Sequence, residues 1–116
     1  MAKHFTELVC WKYGHLLTLR IYRITASFPK EEVYSLTSQM KRAAISVPAN
    51  ITEGFKRNSR KDSMRFYRIA DASLAELQYF IILARDLNYI SEPIKNELFK
   101  QSEELGRVLG GWMSSQ

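Results

Sequence analysis

Four successive amphipathic helical patterns, joined by short turn-forming segments, most constrain what this chain can fold into. Apolar side chains recur at three- and four-residue spacing through each pattern, the period of a helix with one buried face. The flanking turn residues predict helices over about 5–27, 30–54, 62–87 and 91–112. Only five glycines and three prolines occur, which argues against a turn-rich β-fold. We therefore predict one all-α domain, residues 1–116, folded as an antiparallel up-down-up-down four-helix bundle.

Two prolines and one glycine organise the second predicted helix. Pro29 separates it from the first pattern, and Gly54 is its predicted stop. Pro48 falls inside the pattern, where it should bend the helix and deprive the Ala44 carbonyl oxygen of its usual N–H donor. We predict one bent helix, because the apolar core stripe continues in phase through Pro48. Its members are Val33, Leu36, Met40, Ala44, Val47 and Ile51.

The first and third patterns carry more apolar residues than one buried face needs. Their predicted core stripes are Val9, Tyr13, Leu16, Leu17 and Ile24 on the first helix, and Phe66, Ile69, Ala70, Ser73, Leu77, Phe80, Ile81 and Ala84 on the third. The surplus includes four residues that we take as a candidate subunit interface: Trp11, Tyr22, Tyr79 and Ile82. Aromatic residues are favoured interface anchors, so a homo-oligomer is one interpretation. An irregular bundle whose edges these residues fill is the other.

The positive charge of the chain is concentrated in one segment. The net charge is +5, and residues 56–68 carry six cations against the single acid Asp62. We call these six residues the basic patch: Lys56, Arg57, Arg60, Lys61, Arg65 and Arg68. Such a patch indicates a polyanionic partner, RNA or DNA, through phosphate contacts.

A stripe of polar residues follows the apolar stripe of the second helix, and matching residues occur on the third. We call the set the polar seam: Gln39, Arg42, Ser46, Asn50, Glu53, Ser73 and Glu76. One interpretation is a solvated flank. The other is a hydrogen-bonded seam, inside the bundle or between subunits, in which Arg42 pairs with Glu53 or Glu76. Either way we predict a structural role for the set.

The sequence offers little for catalysis. His4 and His15 have no acid at a spacing suited to a metal site, so we predict no metal and no cofactor. Glu53 and Glu76 could form a general acid–base pair, but structural ion pairs are the interpretation we adopt. The lone Cys10 is expected in the core of a protein from a reducing compartment. Neither a leader nor a membrane span is expected, so we predict a cytoplasmic protein that is not an enzyme.

Segments of the second and third helices resemble a known family. Residues 28–44 are similar to its segment FPxEExYxLxxQxxRAA, and residues 46–54 to its segment SxxxNIxEG. Residues 65–70 and 73–77 are similar to its third-helix signature. The chain thus resembles the bacterial four-helix bundle proteins encoded by intervening sequences within 23S ribosomal RNA genes.

The resemblance implies an antiparallel bundle that assembles as a homopentameric ring. Accessory proteins of diversity-generating retroelements are similar in fold, and they bind nucleic acid and a reverse transcriptase as basic pentameric barrels. The intervening-sequence branch has no settled biochemical function. Ala72 stands where the family often has glycine, so backbone approach there should be looser. Two functions stay open: RNA or DNA binding through the basic patch, and a scaffold or adaptor for a protein partner.

Overall fold

The computed structural model contains four long helices and no strand, and it describes all 116 residues. The helices are α1 Val9–Thr25, α2 Leu36–Phe55, α3 Arg60–Asp86 and α4 Glu92–Ser114. Two short 3-10 turns, Phe5–Glu7 and Lys30–Glu32, precede α1 and α2. The all-α class predicted from the sequence is therefore confirmed.

The helices pack in chain order around one core. Each contacts its neighbours along the chain, and α1 also contacts α4. Trp11 Nε1 donates to Thr52 Oγ1 and Thr18 Oγ1 donates to the Ala44 carbonyl oxygen, so two side-chain hydrogen bonds join α1 to α2. No Cα atom of α1 lies within 8 Å of a Cα atom of α3. Surfaces on these two helices therefore lie on separate sides of the molecule.

The core stripe predicted for α2 is buried almost throughout. Leu36, Met40, Ala44, Val47 and Ile51 are each at most 5% exposed. Only the first predicted member, Val33, is exposed, because it precedes the helix. Each large apolar side chain buried in this way stabilises the fold by about 1.5–3 kcal/mol. Hence α2 contributes one continuous apolar stripe to the core, and it packs against both α1 and α3.

The core stripe predicted for α1 is wrong at three of its five positions. Leu17 is buried and Ile24 half-buried, but Val9, Tyr13 and Leu16 are exposed. The buried face of α1 is instead Cys10, Gly14, Leu17, Ile21 and Thr25. Small residues take part in this face because α1 and α2 approach closely there. The prediction followed the spacing of large apolar side chains, and it therefore assigned the wrong face of α1 to the core.

Gly14 of α1 lies against the ring of Pro48 in α2. A Cβ atom at Gly14 would lie 3.3 Å from Pro48 Cδ. The Ala44 carbonyl oxygen, predicted to be freed by Pro48, accepts a hydrogen bond from Thr18 Oγ1 at 3.0 Å. The Thr18 hydroxyl also donates to the Gly14 carbonyl oxygen at 2.8 Å, so the two carbonyl groups share its one hydrogen. Because Thr18 of α1 supplies a donor to the Ala44 carbonyl oxygen, α2 continues as one helix through Pro48, as predicted.

Several predicted boundaries differ from the structure. The second helix begins at Leu36 rather than at 30. The Glu32 carboxylate accepts a hydrogen bond from the Leu36 N–H, a backbone donor at the start of the helix. The third begins at Arg60 rather than at 62, because the Ser59 side chain caps it by accepting the Asp62 N–H. The first begins at Val9, behind the 3-10 turn, and ends at Thr25. The fourth runs two residues past 112.

The predicted core of α3 needs two corrections. Ile69 is 44% exposed, and Phe66, Ser73 and Phe80 are only half-buried. Met64, Tyr67 and Leu74 are buried, although none of them was predicted as core. Tyr67 is only 1% exposed. Its ring lies against Gly54 of α2, and this contact depends on the absence of a side chain there rather than on the spacing of apolar residues along α3.

Gly54 is buried in the last turn of α2, and its role differs from the prediction. The helix ends one residue later, at Phe55, and no glycine has a positive φ. A Cβ atom at Gly54 would lie 2.5 Å from Tyr67 Cε1 and 3.0 Å from the Ser63 carbonyl oxygen. Glycine is therefore needed for the contact with Tyr67 and not for a left-handed turn.

We expect Gly54→Ala to destabilise the protein by about 1–3 kcal/mol, since Tyr67 is buried and cannot move aside. Gly110→Ala is the matched control, because nothing lies within 4 Å of a Cβ atom there. In α4 that change should stabilise by up to about 1 kcal/mol through helix propensity. Urea unfolding at one protein concentration measures both. Equal stabilisation by the two alanines would contradict the packing role of Gly54.

Candidate nucleic-acid interface

The basic patch lies at one end of the bundle, around the connection from α2 to α3. Lys56 follows the last residue of α2, and Arg57 lies in the connection. The other four cations lie on the first turns of α3, and all six are exposed. The structure thus gathers the whole patch on a single end of the molecule.

Three of the six cations share the outer face of α3. Lys61, Arg65 and Arg68 are spaced by four and three residues, which aligns them on one side of a helix. They span about 10 Å along the axis at 1.5 Å per residue. The four ion pairs in the structure involve none of them. Their charge is therefore free to meet an external anion.

The two remaining arginines are held by neighbouring groups. Arg57 pairs with Glu53, and its guanidinium lies 4.4 Å from the centre of the Phe66 ring. Arg65 approaches the same ring at 5.0 Å. Arg60 Nε donates to the Gln116 carbonyl oxygen at 3.0 Å. These contacts order the side chains and still leave both guanidinium groups exposed.

The polar seam lies where α2 meets α3. Arg42 bonds to Glu76 at 2.9 Å and to Gln39 at 2.8 Å. Of the two partners left open for Arg42, the structure shows Glu76, whereas Glu53 pairs with Arg57. Both side chains of the Arg42–Glu76 pair are about half exposed, at 55% and 43%. An exposed pair of this kind contributes at most about 1 kcal/mol.

A second group of seam residues is hydrogen-bonded and half-buried. Ser46 Oγ and Ser73 Oγ lie 2.7 Å apart and link α2 to α3. Asn50 Nδ2 donates to Ser46 Oγ at 2.9 Å and to the Ser46 carbonyl oxygen at 2.8 Å. Six of the seven seam residues thus form two hydrogen-bonded groups, and Glu53 stands apart from both.

The candidate interface residues do not form one surface. Tyr22 is 43% exposed on α1, while Tyr79 and Ile82 are 57% and 41% exposed on α3. Trp11 is half-buried, its ring stacks on His15, and its Nε1 donates to Thr52 Oγ1 at 3.1 Å. Trp11 is therefore engaged mainly within the subunit.

The exposed apolar surface on α1 includes residues that were predicted for the core. Val9, Tyr13 and Leu16 are 52%, 37% and 55% exposed. Tyr13 and Leu16 line a shallow depression against Gln101 and Glu104 of α4. Because these three residues were predicted to be in the core, most of this exposed apolar surface on α1 was not predicted.

The remaining reactive groups are placed as follows. Cys10 is 2% exposed in the core, and burial raises the pKa of its thiol to about 11, so it stays protonated at neutral pH. Nowhere do three or more His, Cys, Asp or Glu side chains gather in a way that could hold a metal ion. No helix combines the length and the apolar character needed to cross a membrane.

A cavity that was not predicted adjoins the basic patch. Its volume is about 460 Å³, and residues from three separate segments line it: Phe55, Arg57, Ser63, Tyr67 and Trp112. The first and last two residues of the chain contribute to the wall. Burial raises the pKa of Tyr67, so its hydroxyl is neutral over the physiological range. No sequence motif marks such a cavity, because its walls meet only in the folded bundle.

Comparison with known proteins places the chain in a family. Residues 6–111 match the family model of the 23S rRNA-intervening sequence proteins. A solved structure of similar fold is a protein of unknown function from the S23 ribosomal protein family of Bacteroides thetaiotaomicron VPI-5482. It is 22% identical, with a TM-score of 0.84 over 91% of this chain and 96% of that one. No curated protein matches the sequence. The chain belongs to the 23S rRNA-intervening sequence protein family.

Proposed function

We propose that this member of the family is a non-enzymatic protein that binds RNA or DNA through its basic patch. It does so as a homopentameric ring of antiparallel up-down-up-down bundles. The observation that carries the proposal is the row of three unpaired cations, Lys61, Arg65 and Arg68, on one outer face of α3. A cytoplasmic location belongs to the same proposal and agrees with the buried, unpaired Cys10.

The chemistry of the patch favours phosphate contacts. Lysine and arginine side chains on a convex helix face meet phosphate oxygens and release counterions, a binding mode with little dependence on sequence. A single patch of this size should bind weakly. Five copies in one ring raise the effective concentration of each further contact, so avidity supplies the missing affinity.

Assembly is supported by the apolar surface that one subunit leaves uncovered. Leu16 on α1 and Tyr79 on α3 are both more than half exposed. Because the two helices lie on separate sides of the bundle, each subunit presents two different apolar surfaces. Two different surfaces on one subunit are what a ring with head-to-tail contacts requires.

A scaffold or adaptor for a protein partner is the second candidate. The same exposed side chains on α1 favour it, because an apolar surface serves a partner protein as well as another subunit. In that function the basic patch only maintains solubility. The two candidates differ in whether removing the patch charge affects nucleic-acid binding.

For the assembly, we expect light scattering after gel filtration to give five times the 13.5 kDa mass of one chain. Leu16→Ser or Tyr79→Ala should weaken association by about 1–2 kcal/mol and leave the helical spectrum unchanged. Tyr34→Ala, at a residue 95% exposed in a connecting segment, is the control and should have no effect. A monomer at micromolar concentration would refute the ring.

For the function, we expect binding of single-stranded RNA and duplex DNA to weaken steeply with salt. The slope to compare is that of the logarithm of the binding constant against the logarithm of the salt concentration. Changing Lys61, Arg65 and Arg68 to alanine should make this slope shallower by about 0.7–0.9 for each phosphate group that the variant no longer binds. Changing Lys30, Lys100 and Arg107 to alanine removes the same charge outside the patch and is the matched control. Fluorescence anisotropy across a salt series measures the slopes.

Equal weakening of binding in the two triple variants would show that only net charge matters, against a specific patch. No binding by the wild-type protein at low salt would exclude the nucleic-acid proposal and favour the scaffold.

A further inference from the structure

The cavity beside the basic patch has the size and walls of a ligand site. Its volume of about 460 Å³ falls within the range of small-molecule pockets, roughly 300–1,000 Å³. The half-buried rings of Phe55 and Trp112 give it aromatic walls beside the buried ring of Tyr67, while Arg57 and Ser63 contribute polar groups. Polar and apolar groups share the walls about equally, which suits a flat, heteroaromatic ligand with polar edges.

The walls of the cavity are held in place by the surrounding fold. Tyr67 is 1% exposed and lies against Gly54, which leaves its ring no room to turn away. The Tyr67 and Trp112 rings meet edge to face at 6.3 Å. A site whose aromatic side chains are already ordered loses little conformational entropy on binding.

Two cations of the basic patch stand at the cavity. Arg57 lines it, with its guanidinium stacked on Phe66 and paired with Glu53. Arg60 bonds to the carbonyl oxygen of Gln116, a residue of the cavity wall. A ligand in the cavity therefore has phosphate-binding groups immediately outside it.

We propose that the cavity receives one nucleobase of a single-stranded nucleic acid whose phosphates contact the basic patch. The choice of ligand rests on the proposed function, which supplies the phosphates. Every base has a π-face, so aromatic walls bind bases with little sequence preference. A base inside a duplex is stacked and paired, and extruding it is costly. The site therefore distinguishes single strands from duplexes.

The test compares two labelled strands of equal length and charge, an oligoadenylate and an oligomer of abasic sugar phosphates. Oligoadenylate should bind about tenfold more tightly, the order expected for one aromatic–base stack. Ser63→Leu fills the cavity from within α3, and Ser63→Ala, which removes only the hydroxyl group, is its control. Ser63→Leu should abolish the difference between the strands and keep the affinity for the abasic one.

A second measurement works without phosphate contacts. In a Trp11→Phe background, Trp112 is the sole tryptophan and lines the cavity. Adenosine should quench its fluorescence in this background, and the added Ser63→Leu change should remove the quenching.

The two failures can be told apart. Equal affinity for both strands, or a preference that survives Ser63→Leu, would overturn the cavity and leave the phosphate interface intact. If neither strand binds, the proposed function fails, and adenosine quenching that Ser63→Leu abolishes would still support a base site. Absence of that quenching would then overturn the cavity as well.

Discussion

The contact of Gly14 with the ring of Pro48 is the constraint on which the rest of the structure depends. Proline inside a helix removes one backbone donor, and a buried carbonyl without a partner costs about 1–3 kcal/mol. Thr18 of α1 supplies the missing donor to Ala44, and Gly14 leaves space for the ring. The proline therefore does not end α2 but ties it to α1 at one register. The same helix packs against α3 on another side, so its position is fixed by contacts with two neighbours.

Periodicity predicted much of the fold but not the rotation of every helix. The stripe from Leu36 to Ile51 on α2 is buried as predicted, because its large apolar residues all lie on one side. On α1 the buried side includes Cys10 and Gly14, whose importance is steric, so a pattern weighted to large side chains missed it. The starts of α3 and α2 differ from the prediction, because Ser59 caps α3 and the Glu32 carboxylate accepts the Leu36 N–H at the start of α2. Helix propensity alone does not determine such side-chain bonds.

In the candidate site, too, the features formed by neighbouring residues in the sequence were predicted, and those formed by packing between helices were not. Sequence adjacency was enough to predict that Lys56 to Arg68 would form one patch, since a turn and the start of a helix bring them together. The partner of Arg42 was left between two glutamates, because both spacings were allowed and only the packing of α3 on α2 selects Glu76. The cavity between Phe55, Tyr67 and Trp112 had no sequence signal at all. Its walls come from α2, α3 and α4 and from the first and last two residues of the chain.

A double-mutant cycle on Thr18 and Pro48 tests the central contact most directly. Thr18→Val leaves the Ala44 carbonyl without its donor and should cost about 1–2 kcal/mol of unfolding free energy in the wild-type background. In Pro48→Ala, residue 48 regains an N–H that can bond to Ala44 within α2, so the cost of Thr18→Val should fall by at least half. Urea unfolding of the four proteins at one concentration gives the coupling. An equal cost of Thr18→Val in both backgrounds would contradict the account.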